Sequence, residues 1–207
     1  MKTDRRPSRG APRQEYDDSD RLTEIGVPPS EDLARMFRLL ETARDSEERG
    51  ALDQVCRELL ESLAAFYRIA PPTVKLLGVR PHSTSEGLLA SELFGDYNFQ
   101  LTRIRLWTQT AIQRQWTSSR TLLSTLCHEF MHHLDVTQLG FPSSYHTAGF
   151  FERTHRLYLG VLGQAHYPLM WHSAEKNGSR TIDWPATNRR KALAVASTSS
   201  SRAASEG

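Results

Sequence analysis

The chain is short of several things that would have classified it at once. It has two cysteines in 207 residues, Cys56 and Cys127, both inside apolar patterns, so a disulfide framework is excluded. No apolar run approaches the roughly 18–20 residues that span a bilayer. The basic N-terminus is followed by no apolar core of a secretory signal. Charge of one sign is also missing: the formal net charge is +2, too small to argue for nucleic acid. These absences point to a soluble protein of the cytoplasm, with no membrane partner.

Apolar residues are scarce as well, at 38% of the chain, and unevenly spread. Residues 1–28 are polar and of mixed charge, and 173–207 run into a Ser/Ala-rich end. Both read as disordered tails. The basic cluster Arg189, Arg190 and Lys191 reads as a solvated tail, with a weak nucleic-acid or acidic-surface contact as the sharper alternative. Between them, 29–172 is long enough for one domain with its own core.

Within that domain, Ser30-Glu31-Asp32 opens a helix, followed by apolar residues at helical spacing: Leu33, Met36, Phe37 and Leu40. A second helical pattern runs from Leu52 to Tyr67 and stops before Pro71-Pro72. Thr73–Val79 is a short strand, and the following RPHSTSEG a loop. Gly95–Asn98 reads as a turn and Phe99–Trp107 as a strand, since Ile104 and Leu106 alternate with Arg103 and Arg105. A helix over Ser119–Leu139 ends at Gly140-Phe141-Pro142. One more follows over 150–165. The order of helices and strands predicts an α+β class.

The helix over Ser119–Leu139 carries His128-Glu129-Phe130-Met131-His132, an HExxH pattern. Residues four apart share a helix face, so both imidazoles can reach one Zn²⁺. Glu129, about 100° around the helix from His128, can reach a metal-bound water and act as general base. The helix is phased for this. Thr121, Thr125 and Asp135 share the face of the two histidines, and Leu123, Leu126, Cys127, Phe130 and Leu134 cluster opposite. His133, at the margin of the apolar arc, reads as packed or supporting, and Cys127 as core. Asp135 reads equally as an acceptor behind a ligand and as an exposed helix acid.

A catalytic zinc needs a third protein ligand. His146, Glu152 and His155 are the candidates. Glu152 lies twenty residues after His132, the separation of thermolysin-like zincins, but the last helix places it on a polar arc with Arg156, opposite Phe150, Phe151, Leu157, Tyr158, Val161 and Leu162. It would point to solvent. His155 sits at the far edge of the apolar arc. His146 sits at the near edge, one turn before Phe150, and is favoured. Tyr145 beside it is a candidate oxyanion donor, with a structural tyrosine as the commoner role.

HExxH, a loop, then His146 and Phe150 as His-x-x-x-Phe together resemble the compact single-domain zincins: SprT-like, WLM-like and other minigluzincin-type metallopeptidases. The likeness covers about Thr73–Gly163. It implies a zincin-like small mixed sheet packed on helices, including the HExxH helix. It implies zinc on His128, His132 and His146, Glu129 as base, and a peptide or protein substrate. TRIRLW resembles the family's edge strand, so a peptide is expected to add against Leu101–Trp107. SprT-like proteins commonly carry a Cys-rich zinc ribbon, and this chain has no CxxC pair. The expectation is therefore a zinc metallopeptidase. The rivals are a zinc hydrolase of another kind, a zincin with structural zinc, and a non-proteolytic adaptor that binds nucleic acid or protein.

Overall fold

The computed structural model describes residues 1–85, 88–175 and 178–192. The chain divides into two compact units: Pro28–Gly140, and the flanking segments Met1–Val27 and Phe141–Gly207. Sequence reading expects one domain over 29–172 between two disordered tails. The described residues of both flanking segments instead fold with each other.

The Pro28–Gly140 unit is built around helices α2 (Ser30–Asp45), α3 (Arg49–Tyr67) and α4 (Ser119–Leu134) and strands β1 (Thr73–Val79) to β5 (Arg103–Gln109). The apolar spacing places α2 and α3 as read. Leu33, Phe37 and Leu40 are buried along α2, and Leu52, Cys56, Leu59, Leu60 and Leu63 along α3. Each such side chain taken from water stabilises by about 1.5–3 kcal/mol. Arg68 then takes a left-handed conformation and the Pro71-Pro72 pair starts the sheet.

The main sheet has the order β1-β5-β4 and is mixed. β5 runs parallel to β1, with Leu76 beside Leu106, and antiparallel to β4 (Gly95–Asn98), with Tyr97 beside Ile104. Ile104 and Leu106 are fully buried, as their alternation predicts. The α+β class, with a small mixed sheet packed on helices, is therefore what forms. α4 packs on both β4 and β5.

Three local readings differ. Phe99–Thr102 is a turn, in which the Asn98 side chain accepts from the Leu101 N–H at 2.8 Å, so β5 starts only at Arg103. The RPHSTSEG loop holds β2 (His82–Ser85), which pairs antiparallel with β3 (Leu88–Glu92). Every β2 side chain is exposed, so it has no alternation to betray it. Gly95–Asn98 is a strand rather than a turn. A Cβ on Gly95 would meet Thr125 Cγ2 at 2.6 Å, so glycine there serves the close approach of α4.

The other unit holds α1 (Gly10–Arg21), α5 (Ala148–Val161) and a helical stretch over 184–192. α1 and α5 touch at Gly149, whose added Cβ would lie 2.1 Å from the Ser19 carbonyl. Arg153 of α5 is wholly buried and donates to the carbonyls of Ser19, at 2.9 Å, and Leu22, closing the end of α1. Asp20 accepts from the Ala148 N–H at the start of α5 and from Arg180. Asp183 caps the 184–192 stretch by accepting from the Ala186 N–H at 2.8 Å. Arg189, Arg190 and Lys191 lie in that stretch, not in a tail without structure. Residues 193–207, the Ser/Ala-rich end, fall outside the described residues. No described helix is long and apolar enough to cross a membrane.

Candidate metal centre

α4 starts on a cap, the Ser118 hydroxyl accepting from the Thr121 N–H at 3.2 Å. Its back is buried through Leu122, Leu123, Leu126, Cys127, Phe130 and Leu134. That anchoring fixes the rotation of the helix and with it the face of the motif. The rings of His128 and His132 stand 5.0 Å apart at 82°, and Phe99 lies edge-on to His132. The helix continues through a π-helical turn, Asp135–Leu139, and stops at Gly140 with φ 78°.

His146 follows in the connection to α5, one residue ahead of Thr147, whose hydroxyl accepts from the Phe150 N–H and caps that helix. Its ring stacks on Phe151 at 5.6 Å and 16° and meets Phe150 edge-on at 5.1 Å. Its backbone is held on both sides by Asp4. The His146 N–H donates to Asp4 Oδ2 at 2.8 Å and its carbonyl accepts from the Asp4 N–H at 2.9 Å.

The ligand atoms of His128, His132 and His146 all lie within 4.8 Å of one another. Zinc–nitrogen bonds of 2.0–2.1 Å in a tetrahedron set donors about 3.4 Å apart, within reach of small side-chain adjustments. Three imidazole donors so placed could hold a metal ion. Among the described residues, no other group of three or more histidine, cysteine or acidic side chains comes together in this way. Glu152 and His155, the other candidates for third ligand, are not part of it.

Glu129, between the two α4 histidines, is 5% exposed. Burial first, and the Asp96 carboxylate second, push its carboxyl up to about 8. Asp96 sits on β4, paired with Arg105 of β5.

His133 is packed, as expected, and supports rather than faces the group. Its Nε2 lies 2.8 Å from the Ala70 carbonyl, which only accepts, so Nε2 carries the proton. Its Nδ1 then accepts from the Tyr97 hydroxyl at 2.9 Å. Burial lowers its pKa. Through it, α4 is tied to β4 and to the residue before Pro71-Pro72. Cys127 and Cys56 are buried core thiols, the latter pushed up to about 12 by burial. Asp135 is fully buried, which removes the exposed-acid reading.

Glu152 departs from expectation. It does not point to solvent: it is 9% exposed and accepts from the Leu169 N–H at 2.9 Å, because the chain after α5 folds back over that side of the helix. His155 lies against the Tyr167 ring at 4.9 Å. Tyr145 packs on Tyr16, ring centroids 5.8 Å apart. Asp4, Tyr97 and Phe151 were invisible to sequence reading as parts of this region. Asp4 belongs to no motif, and its place is set only by folding of segments 142 residues apart.

Compared with protein-family models, with curated proteins and with solved structures, the chain matches none.

Proposed function

We propose that the chain is a zinc-dependent metallopeptidase of the compact zincin kind its sequence resembles. The observation that carries this reading is the three-histidine group, with Glu129 next to one of its members on a single helix. Bound zinc would supply a Lewis acid that polarises a carbonyl and acidifies a water. His128, His132 and His146 would hold it. Glu129, offset from both α4 histidines, would accept a proton from the water and deliver it to the leaving amine.

The peptide cannot add against β5 as the sequence suggests. β5 is the central strand, with β1 on one side and β4 on the other. We place the peptide on the open edge of β4 instead. Residues flanking β4 are apolar and exposed: Leu93, Phe94, Phe99 and Leu101. Asp96 of that strand is near enough to Glu129 to raise its pKa.

The test is zinc content and cleavage of a peptide library by the purified chain and by Glu129→Gln. One zinc per chain in both, with cleavage by the variant down by 10²–10⁴-fold, is the expected result. Restoration of cleavage by zinc after chelation should accompany it. No stoichiometric zinc in the wild-type chain overturns the metal reading. Zinc without cleavage of any peptide overturns the peptidase and leaves a structural ion or an adaptor.

A further inference from the structure

We propose that Asp4 is a positioning residue for the metal ion, holding the His146 imidazole so that Nε2 is presented to it. This rests on the metal reading above and adds to it a residue that no motif contains.

Asp4 Oδ2 lies 2.8 Å from the His146 main-chain nitrogen and 3.6 Å from Nδ1 of the same residue. The first contact is a hydrogen bond. The second is longer than one, and less than 1 Å of adjustment closes it. The carboxylate therefore faces the Nδ1 side of the ring. A proton on Nδ1 is drawn towards it, and the Nε2 lone pair is left for the ion. Metal on Nε2 makes Nδ1–H a stronger donor, so the two contacts reinforce each other.

The position of Asp4 is not accidental. Thr3 N–H donates to the Arg180 carbonyl at 2.9 Å, and the Arg180 N–H donates to the Thr3 hydroxyl at 2.8 Å. Lys2 pairs with Thr181 in an antiparallel bridge. Asp4 N–H then donates to the His146 carbonyl. The segment is zipped down up to the residue that carries the carboxylate. Phe151 stacks flat on the His146 ring and limits its rotation. Ring plane and ring edge are thus set by different residues, Phe151 and Asp4.

The experiment is zinc affinity of the full chain, by competition with a chromogenic chelator, for wild type, Asp4→Asn, Asp4→Glu and His132→Ala. The melting temperature of each metal-free protein and the visible spectrum of each Co²⁺-loaded protein are read alongside. Asparagine keeps an acceptor for the His146 N–H and removes only the charge. Asp4→Asn is expected to bind zinc 10–100-fold more weakly, with an unchanged metal-free melting temperature and an altered Co²⁺ spectrum. Asp4→Glu is expected to recover part of the loss. Affinity within twofold of wild type in Asp4→Asn overturns the role of Asp4 while the loss in His132→Ala upholds the metal site. A drop in metal-free melting temperature that matches the loss of affinity also overturns it, since it makes Asp4 merely structural. Failure of the wild-type chain to bind zinc removes both.

Discussion

The two units of the chain cohere by different means. In Pro28–Gly140 leucine is the commonest buried side chain, spaced at helical and strand periods: Leu33, Leu40, Leu52, Leu59, Leu60, Leu63 and Leu106 among them. In the unit made of the flanking segments, buried polar groups carry much of the contact: Arg153, Ser19, Thr147 and Glu152. Ser19 and Thr147 share a hydrogen bond of 3.0 Å, and Arg153 ends on α1 carbonyls. The lesson is that a low apolar fraction does not exclude a folded interior when long donors reach the open carbonyls of a helix end.

The sharpest way to break that comparison is to remove one member from each interior. Arg153→Ala strips donors from the buried carbonyls of Ser19 and Leu22 and opens a cavity. We expect a loss of about 3–5 kcal/mol, comparable with about 2–5 kcal/mol for Leu60→Ala. Urea denaturation followed by separate probes in each segment reads both. If Arg153→Ala costs under 1 kcal/mol while Leu60→Ala behaves as stated, the polar interior is not what holds its unit together.

A smaller effect sharpens it. Gly149→Ala puts a methyl 2.1 Å from the Ser19 carbonyl and should destabilise by about 1–3 kcal/mol. Gly50→Ala, with nothing within 4 Å, should stabilise by up to about 1 kcal/mol. Opposite signs in thermal melts are the check, and equal shifts would show that α1 does not approach α5 so closely.

The smallest effect is on pH. Burial first, then the nearby His166, lower the His155 pKa from 6.5 to about 4. The unfolded chain takes up this proton below pH 6.5 and the folded chain only near 4. Stability should therefore fall as pH drops through that window, by on the order of 1–2 kcal/mol from this group. His155→Phe should flatten the profile between pH 6.5 and 4. An unchanged slope would place the acid sensitivity elsewhere.

What could be read from the sequence follows the same division. The apolar periods of α2, α3, α4 and β5 announce themselves because each buries one face. The HExxH spacing and His146 were readable because ligand chemistry restricts residue type. α1 was not readable: of its twelve residues, only Tyr16 and Ser19 are buried. β2 was not, because it buries none. Glu152 was misplaced because a helical wheel cannot know that Leu169 returns over it. Asp4 gives no sign of itself, since only the folded chain brings it to His146.

The divided unit also has a consequence in time. Pro28–Gly140 is one continuous stretch, so its partners are all at hand once it has left the ribosome. α1 must wait. Ser19 meets Arg153 across 134 residues, and Asp20 meets Arg180 across 160. Contacts so distant along the chain close late and slowly. His128 and His132 are therefore folded into α4 before His146 can be fixed. A chain halted near residue 140 would carry only two of the three histidines, so the group can come together only after His146 has been made.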